Sequence, residues 1–383
     1  MSLEYEKTTA PNPSVDADGE QPISETATNI PDFAGNCNPA ELDMDNYFRK
    51  IERMSDPSYL HTFTMNELFD KTFSSRPPLI DGLLPFGTYF LAGAPKVGKS
   101  FLVAQIAYHV SMGQPLWEYP VQQGGVLYLA LEDDQQRLQA RMSRMFGVEG
   151  TDDLNFAIYS GQVGASLEDQ LDNYLREHPG TKLVIIDTLQ KIRGDSGEAY
   201  SYAADYKVVG QLKQFADKKG ICLLLVHHTR KQSASDAFDM ISGTTGLLGC
   251  ADGAFVLRKV KRTDLTATLN ITSRDLPDQK LYLIRDEERL TWQLDHTETQ
   301  PWKAQPDPLL EKIASLVTED NPMWTGSATE LLSLLEEDMK PNILTRRLNV
   351  ESSDLKSEHG IAYEVSHTRN GSCIKLSRVA KKT

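Results

Sequence analysis

Cysteine is scarce in this chain: Cys37, Cys222, Cys250 and Cys373 are the four in 383 residues, and no two form a C-x-x-C pair. That scatter excludes both a zinc site of the usual ligand spacing and a disulfide framework, and it fits a reducing compartment. Long apolar runs are missing as well. No stretch approaches the ~18 consecutive apolar residues of a membrane span, and the chain as given opens without the basic-then-apolar pattern of a secretion signal. A cytoplasmic protein with no membrane partner is expected. Positive charge is also in deficit, with a net charge of −14, which argues against a chain that coats nucleic acid over its whole surface. The deficit is uneven, however. Acids crowd the first 60 residues (Asp16, Asp18, Glu20, Asp43, Asp45), whereas Arg346, Arg347, Lys356, Arg369, Lys375, Arg378, Lys381 and Lys382 collect near the other end. A locally basic module is therefore compatible with the acidic total.

What is present is a phosphate-binding loop. Gly93-Ala94-Pro95-Lys96-Val97-Gly98-Lys99-Ser100 follows the apolar Tyr89-Phe90-Leu91 and leads through Phe101 into a helical pattern, so G-x-x-x-x-G-K-S stands in its strand–loop–helix context. Its glycines let backbone N–H groups wrap a polyphosphate at a helix N-terminus, where unpaired donors and the helix dipole both favour negative charge. Residues Gly93 to Phe101 are thus expected to hold ATP, with Lys99 on the β- and γ-phosphates and Ser100 on a Mg²⁺ ion. Lys182-Leu183-Val184-Ile185-Ile186-Asp187 is an apolar strand ending in a carboxylate, and Asp187 is expected to share that metal.

The length and the 40% hydrophobic content suit about two or three domains. Residues 1–40 are too poor in large apolar groups to offset their ordering entropy and read as disordered. A helical segment covers 41–79, with an amphipathic stretch from Leu42 to Met54 and a capping box in which Glu67 follows Thr64. From 80 to 297, apolar runs alternate with helical periods, the pattern of a mostly parallel sheet with helices on both faces. Gly125 to Leu131 ends in Glu132-Asp133-Asp134, and Ile221 to Val226 ends in His227-His228. Acids at the carboxyl ends of parallel strands sit where such sheets bind ligands. Polar loops follow at Gln190–Tyr202 and Gln232–Ser242. Beyond Gly253 the helices stop, so antiparallel strands are expected from Phe255 to Leu294. A proline-marked linker spans 298–307. Residues 308–379 then combine helical patterns at Leu309–Val317, Ala328–Leu335 and Ile343–Leu355 with a hairpin turning at Asn370-Gly371.

The order of these elements resembles the RecA-fold ATPases, and within them the plasmid RepA-type branch related to DnaB hexameric helicases. The likeness covers about residues 80–295. It implies that Glu132 orients and deprotonates the attacking water, with Asp133 the runner-up, and that His228 or its neighbour His227 senses the γ-phosphate. It also implies that the two polar loops, with Lys191, Arg193, Arg230 and Lys231, face single-stranded DNA, and that Arg274, at a strand end, completes the site of an adjacent subunit in a homo-oligomeric, hexameric ring. Residues 308–379 resemble a winged helix, which places Asn342, Arg346, Arg347, Lys356, His367, Arg369 and Lys375 as candidate contacts to duplex DNA. The expected protein is an α/β RecA-like P-loop ATPase with a small α+β winged-helix unit, acting as a replicative helicase of a plasmid, phage or other mobile element. The alternative is a DNA-binding ATP switch that does not translocate. A small-molecule kinase is disfavoured, because Glu132 suits activation of water.

Overall fold

Strands composed almost wholly of apolar residues are stable only in a sheet covered on both faces, and that is the arrangement in the computed structural model, which describes residues 56–60, 62–73, 77–193, 202–229, 238, 241, 249–261, 263–298, 307–368 and 371–379. Residues 1–40, the helix expected at 42–54, most of the two polar loops with Arg230 and Lys231, most of the linker, and Arg369, Lys381 and Lys382 lie outside the described residues.

The main body runs β1 (Thr88–Gly93), α2 (Lys99–Met112), β2 (Gly125–Ala130), α3 (Gln135–Phe146), β3 (Leu154–Ala157), α4 (Leu167–Glu177), β4 (Thr181–Asp187), α5 (Tyr202–Lys219) and β5 (Cys222–His228), preceded by the short α1 (Met65–Phe69). It continues through β6 (Gly253–Arg258), β7 (Thr266–Ser273), β8 (Gln279–Arg285) and β9 (Trp292–Thr297). The nine strands form one sheet in the order β3-β2-β4-β5-β1-β6-β7-β8-β9. Alternate residues serve opposite faces. Tyr89, Leu91, Tyr128, Leu183, Ile185 and Leu224 join the core that surrounds α2. Phe90, Ala92, Leu129, Val184, Ile186 and Leu225 join the core under α4 and α5.

Two sequence expectations change here. β6, which contains Phe255, pairs parallel with β1, and the antiparallel extension begins only at β7. The chain re-enters the sheet at Gly253 in the same direction as β5, so β6 closes the parallel part. In addition, β3 and α4 occupy a stretch for which no element was expected, although Leu167, Leu171, Tyr174 and Leu175 recur at helical spacing in α4 and pack on the core.

The antiparallel extension is fastened to α2 through Trp292. This side chain is fully buried, and its indole N–H donates to the Gly98 carbonyl at 3.3 Å. Its backbone N–H donates to Gln105 Oε1 at 2.8 Å, and its carbonyl accepts from Gln105 Nε2 at 2.9 Å and from Trp117 Nε1 at 2.7 Å. The helix that starts at the phosphate loop is thereby held from the sheet side and from β9.

The C-terminal unit comprises α6 (Pro308–Leu316), β10 (Met323–Ser327), α7 (Ala328–Leu335), α8 (Pro341–His359), β11 (Ile361–Thr368) and β12 (Gly371–Arg378), with sheet order β10-β12-β11 and its own core of Leu310, Ile313, Leu331, Leu348, Leu355, Ile374 and Leu376. β10 was not expected from its sequence. Thr368 pairs with Gly371, which puts Gly371 in the strand and not in the turn. α1, capped by Thr64 and Glu67 as its sequence foretells, lies against α8. Asn349 is buried there, donating to the Phe69 carbonyl at 3.0 Å and accepting from Thr72 and Tyr363 at 3.1 and 2.9 Å.

Removing the Trp292 side chain deletes one of the largest buried groups and the anchor of the phosphate loop. Trp292→Ala is expected to lower the unfolding free energy by about 3–5 kcal/mol, read from denaturant midpoints. A loss below about 1 kcal/mol would show that β9 does not hold α2.

Candidate active site

In a parallel sheet all strands deliver their carboxyl ends to one edge. Here that edge collects Gly93 from β1, Asp187 from β4 and His228 from β5, with Glu132 and Asp133 just past β2. They surround a cavity of about 520 Å³ lined by Pro95, Lys96, Gly98, Lys99, Ser100, Phe101, Glu132, Asp133, Arg137, Arg141, Asp187, Thr188, His228 and Arg285. A cavity of about 620 Å³ lies elsewhere, between α2 and the β8–β9 turn. Several of its polar groups are engaged with one another, as in the Gln105–Trp292 and Trp117–Trp292 bonds and the 3.3 Å contact of His109 with the Gln114 carbonyl. The chemistry therefore concentrates in the first cavity.

The loop from Gly93 to Gly98 turns through left-handed backbone at Lys96 (φ 65°) and Gly98 (φ 109°). Gly98 has no substitute there: a Cβ would stand 2.8 Å from the Trp292 ring. α2 begins at Lys99, so the first backbone N–H groups of that helix have no intrahelical acceptor. Lys99 is only 5% exposed. Its ammonium donates to the Gly93 carbonyl at 2.7 Å and the Ala94 carbonyl at 3.0 Å, and lies 3.2 Å from His228 Nδ1. Burial pulls the Lys99 pKa down to about 8 against the opposing attraction of Asp187 and Glu132. His228 is likewise held below its ordinary value, first by burial and then by the Lys99 charge. A neutral imidazole accepting from the ammonium satisfies both groups.

Asp187 is 5% exposed. Its carboxylate accepts from the Tyr128 hydroxyl at 3.0 Å and from Ser100, while burial raises its pKa. Ser100 and Asp187 thus present adjoining oxygen donors, the ligand type Mg²⁺ selects. Among the described residues no group of three or more His, Cys, Asp or Glu could enclose a metal. Two protein oxygens supplemented by phosphate oxygens and water is the coordination such an ion adopts at a phosphate loop, so the residues fit the group.

Glu132 is exposed on the cavity side and accepts from the Thr188 hydroxyl at 3.3 Å. Asp133 is instead paired with Arg141 at 2.7 Å and Arg137 at 3.7 Å. Its carboxylate is therefore committed to holding α3, which leaves Glu132 the carboxylate open to the cavity. His227 packs into the sheet, 7% exposed, with its ring 6.3 Å from that of Phe90. Strand alternation separates the two histidines, one inward and one toward the cavity.

Arg274 is not brought to this cavity. It follows β7, where Ser273 pairs with Gly253 opposite Tyr89 at the start of β1, roughly 15–20 Å along the sheet from the phosphate loop of the same chain. Its guanidinium reaches Asp252 and the Gly249 carbonyl, each at 3.4 Å. Its ion-pair partner is Asp252. Within its own chain Arg274 cannot contact the site. Of the candidate duplex contacts, Arg346 is paired with Asp70 at 2.8 Å, Arg347 with Asp307 at 2.7 Å and Lys375 with Glu364 at 3.0 Å. Asn342 and Lys356 are exposed, and the side chains of His367 and Arg369 lie outside the described residues. Lys191 and Arg193 follow β4 on a short 3-10 turn at Leu189–Ile192.

Sequence reasoning missed Tyr128, Thr188, Arg141 and Arg285. Tyr128 carried a faint signal, a hydroxyl in an otherwise aliphatic strand. Arg285 carried none, because its nearness to Gly98 depends on the fold of the extension.

The AAA domain family matches residues 55–234. The DNA repair protein RadA of Synechocystis sp. is 27% identical over 164 residues, which is 40% of this chain and 30% of that protein. RadA of Streptococcus pneumoniae is 28% identical over 153 residues, or 39% and 32% of the two chains. The chain thus spans about a third of the length of these relatives. Among solved structures, an ATPase domain aligns with a TM-score of 0.45 at 14% identity over 65% of this chain and 96% of its own. A DnaB-like replicative helicase aligns with a TM-score of 0.45 at 14% identity over 66% and 68%. The AAA-domain match lies over strands β1 to β5, and the phosphate loop rises from the interior β1 of their sheet, so residues 55–234 carry a P-loop ATPase domain with the mixed, mostly parallel sheet of the RecA-like fold.

Proposed function

We propose that this cavity hydrolyses ATP and that the protein couples hydrolysis to DNA as a subunit of an oligomeric, DnaB-like motor, of the kind that serves replication of a plasmid, phage or other mobile element. The observation that carries the hydrolytic reading is the meeting of Lys99, Ser100, Glu132, Asp187 and His228 around one cavity above the phosphate loop. Support for DNA as the partner comes from the relatives, which are DNA repair proteins.

Phosphoryl transfer to water asks the protein mainly for positioning and charge compensation. The loop amides and Lys99 hold the β- and γ-phosphates. Ser100 and Asp187 would hold Mg²⁺, which when bound would supply charge neutralisation at the phosphates. Glu132, with one oxygen steadied by Thr188, takes the proton from the attacking water. His228 reports on the γ-phosphate, because a phosphate oxygen competes with its Nδ1 for the Lys99 ammonium. The displaced ring is one residue from Thr229, which leads into the second polar loop. The single-strand contact belongs to the core loops. Duplex contact through the winged-helix-like unit would require Arg346, Arg347 and Lys375 to exchange their carboxylate partners for phosphates.

Glu132→Gln keeps the cavity shape and removes the base. Turnover is expected to fall about 10²–10⁴-fold with nucleotide affinity retained, as measured by steady-state phosphate release beside equilibrium binding. A parallel loss of affinity would transfer Glu132 to binding.

The Lys99 ammonium, with its pKa near 8, must be protonated to hold phosphate, and an anion beside it raises that pKa. Affinity is therefore complete below about pH 8 and is lost as pH rises above it, by up to about tenfold per unit. Binding titrations across about pH 7 to 9.5 check this, with Lys99→Arg as the variant that stays charged throughout. A flat profile would place the Lys99 pKa well above the range.

Arg274 can act only on a neighbouring subunit. Arg274→Ala and Lys99→Ala are each expected to lower turnover by about 10³-fold, and mixtures to regain part of it wherever an intact phosphate loop meets an intact Arg274. Wild-type turnover by Arg274→Ala alone would remove the residue from the reaction.

A further inference from the structure

Among the described residues, Arg285 is a half-buried arginine beside the phosphate loop with no anion in ion-pair distance. Arg285 ends β8, paired across to Trp292 of β9. Its guanidinium carbon stands 4.2 Å from the centre of the Phe101 ring and 5.6 Å from that of Trp292. Arg141 covers Phe101 as well, at 5.3 Å. One Arg285 nitrogen lies 3.2 Å from the point where a Cβ on Gly98 would be, and the side chain lines the cavity. Its Nε is buried with no hydrogen-bond partner. No carboxylate of the described residues lies within ion-pair distance of it, although Arg141 beside it has Asp133. Burial first, and then the Arg144 charge, disfavour its proton, and it in turn repels Lys259, which lies over the Trp292 ring at 5.3 Å.

A half-buried guanidinium with no counter-ion, kept in place by stacking, weakens the fold that holds it. Its position says what would compensate it. Lys99 projects back under the loop toward Gly93, Ala94 and His228, the direction of the β- and γ-phosphates. Arg285 stands on the other side of Gly98, over Phe101 in the first turn of α2, where the row of free amides continues toward the α-phosphate. We propose that Arg285 is a nucleotide-binding residue that clamps the α-phosphate side of the polyphosphate within its own subunit, so that the antiparallel extension, and not only the parallel sheet, forms the nucleotide site. The inference rests on reading the cavity as an ATP site. It gives Gly98 a second reason to lack a side chain, since any Cβ there would meet Trp292 and crowd the guanidinium. It also assigns Phe101 and Trp292 as the platform that keeps the fork flat against the loop.

The test is titration of Mg²⁺-ADP into the full-length wild type, Arg285→Met and Arg285→Lys, with the melting temperature of each protein taken in the absence and presence of ADP. Arg285→Met keeps an apolar contact with Phe101 and removes the charge. Its ADP dissociation constant is expected to rise about tenfold to a hundredfold, the usual worth of a charged hydrogen bond. Its nucleotide-free melting temperature is expected to equal or exceed that of the wild type, because an uncompensated cation has gone, while the ADP-induced rise shrinks. Arg285→Lys keeps the charge and is expected to lose no more than about threefold. An ADP affinity for Arg285→Met within twofold of wild type would overturn the proposal. So would an Arg285→Lys variant as weak as Arg285→Met, since that result would make the planar ring contact, and not the phosphate charge, the source of binding. A wild type that binds neither ADP nor ATP would instead overturn the ATP reading itself, which separates the two failures.

Discussion

An ammonium withdrawn from water has to be solvated by the protein or give up its proton, and Lys99 is in that position. The Gly93 and Ala94 carbonyls and the His228 imidazole accept from it, while Asp187 and Glu132 offset its charge from beyond hydrogen-bond range. These partners come from β1, β5, β4 and the turn after β2, so they meet only if those strands end at one level. The parallel registers supply that: Gly93 lies opposite His228, and Ala130, two residues before Glu132, lies opposite Asp187. A slip of one residue in either pairing would turn His228 or Asp187 to the other face and leave the buried cation unsatisfied.

The same constraint explains why the loop needs support from outside the parallel sheet. Backbone amides bind phosphate well only when they are already aimed, and a glycine-containing loop has little stiffness of its own. Trp292 provides it by donating to the Gly98 carbonyl from below, while Gln105 locks the Trp292 backbone on both sides. The antiparallel strands thus stiffen the element that the parallel strands position. Arg285 lies on the same support, and its uncompensated charge makes the support part of the binding surface.

At the other end of the molecule, ion pairs have been used to join parts. Arg346 ties α8 to α1 through Asp70 and Asn66, and Arg347 grips Asp307 with one nitrogen to both carboxylate oxygens. Exposed pairs of this kind contribute about 1 kcal/mol or less each. The buried Asn349, with its amide and carbonyl both satisfied, fixes how α1 sits on α8.

Several features were determined by the sequence alone, because each is written within a few consecutive residues. The phosphate loop, the capping box of α1, and the apolar strands that end in Glu132, Asp187 and the histidine pair depend on local spacing and on burial of every side chain in a run. The tertiary structure decided what depends on which segments become neighbours. It turned β6 parallel, because direction in a sheet is set by the route of the connecting chain and not by the strand's own residues. It chose Glu132 over Asp133 as the open carboxylate, because Arg137 and Arg141, one and two turns along α3, claim Asp133. It sent Arg274 to the far edge and brought Arg285 to Gly98, although both arginines follow apolar strands of similar composition. Which end of an antiparallel strand faces the ligand is fixed by its partners across the sheet, and no local pattern records that.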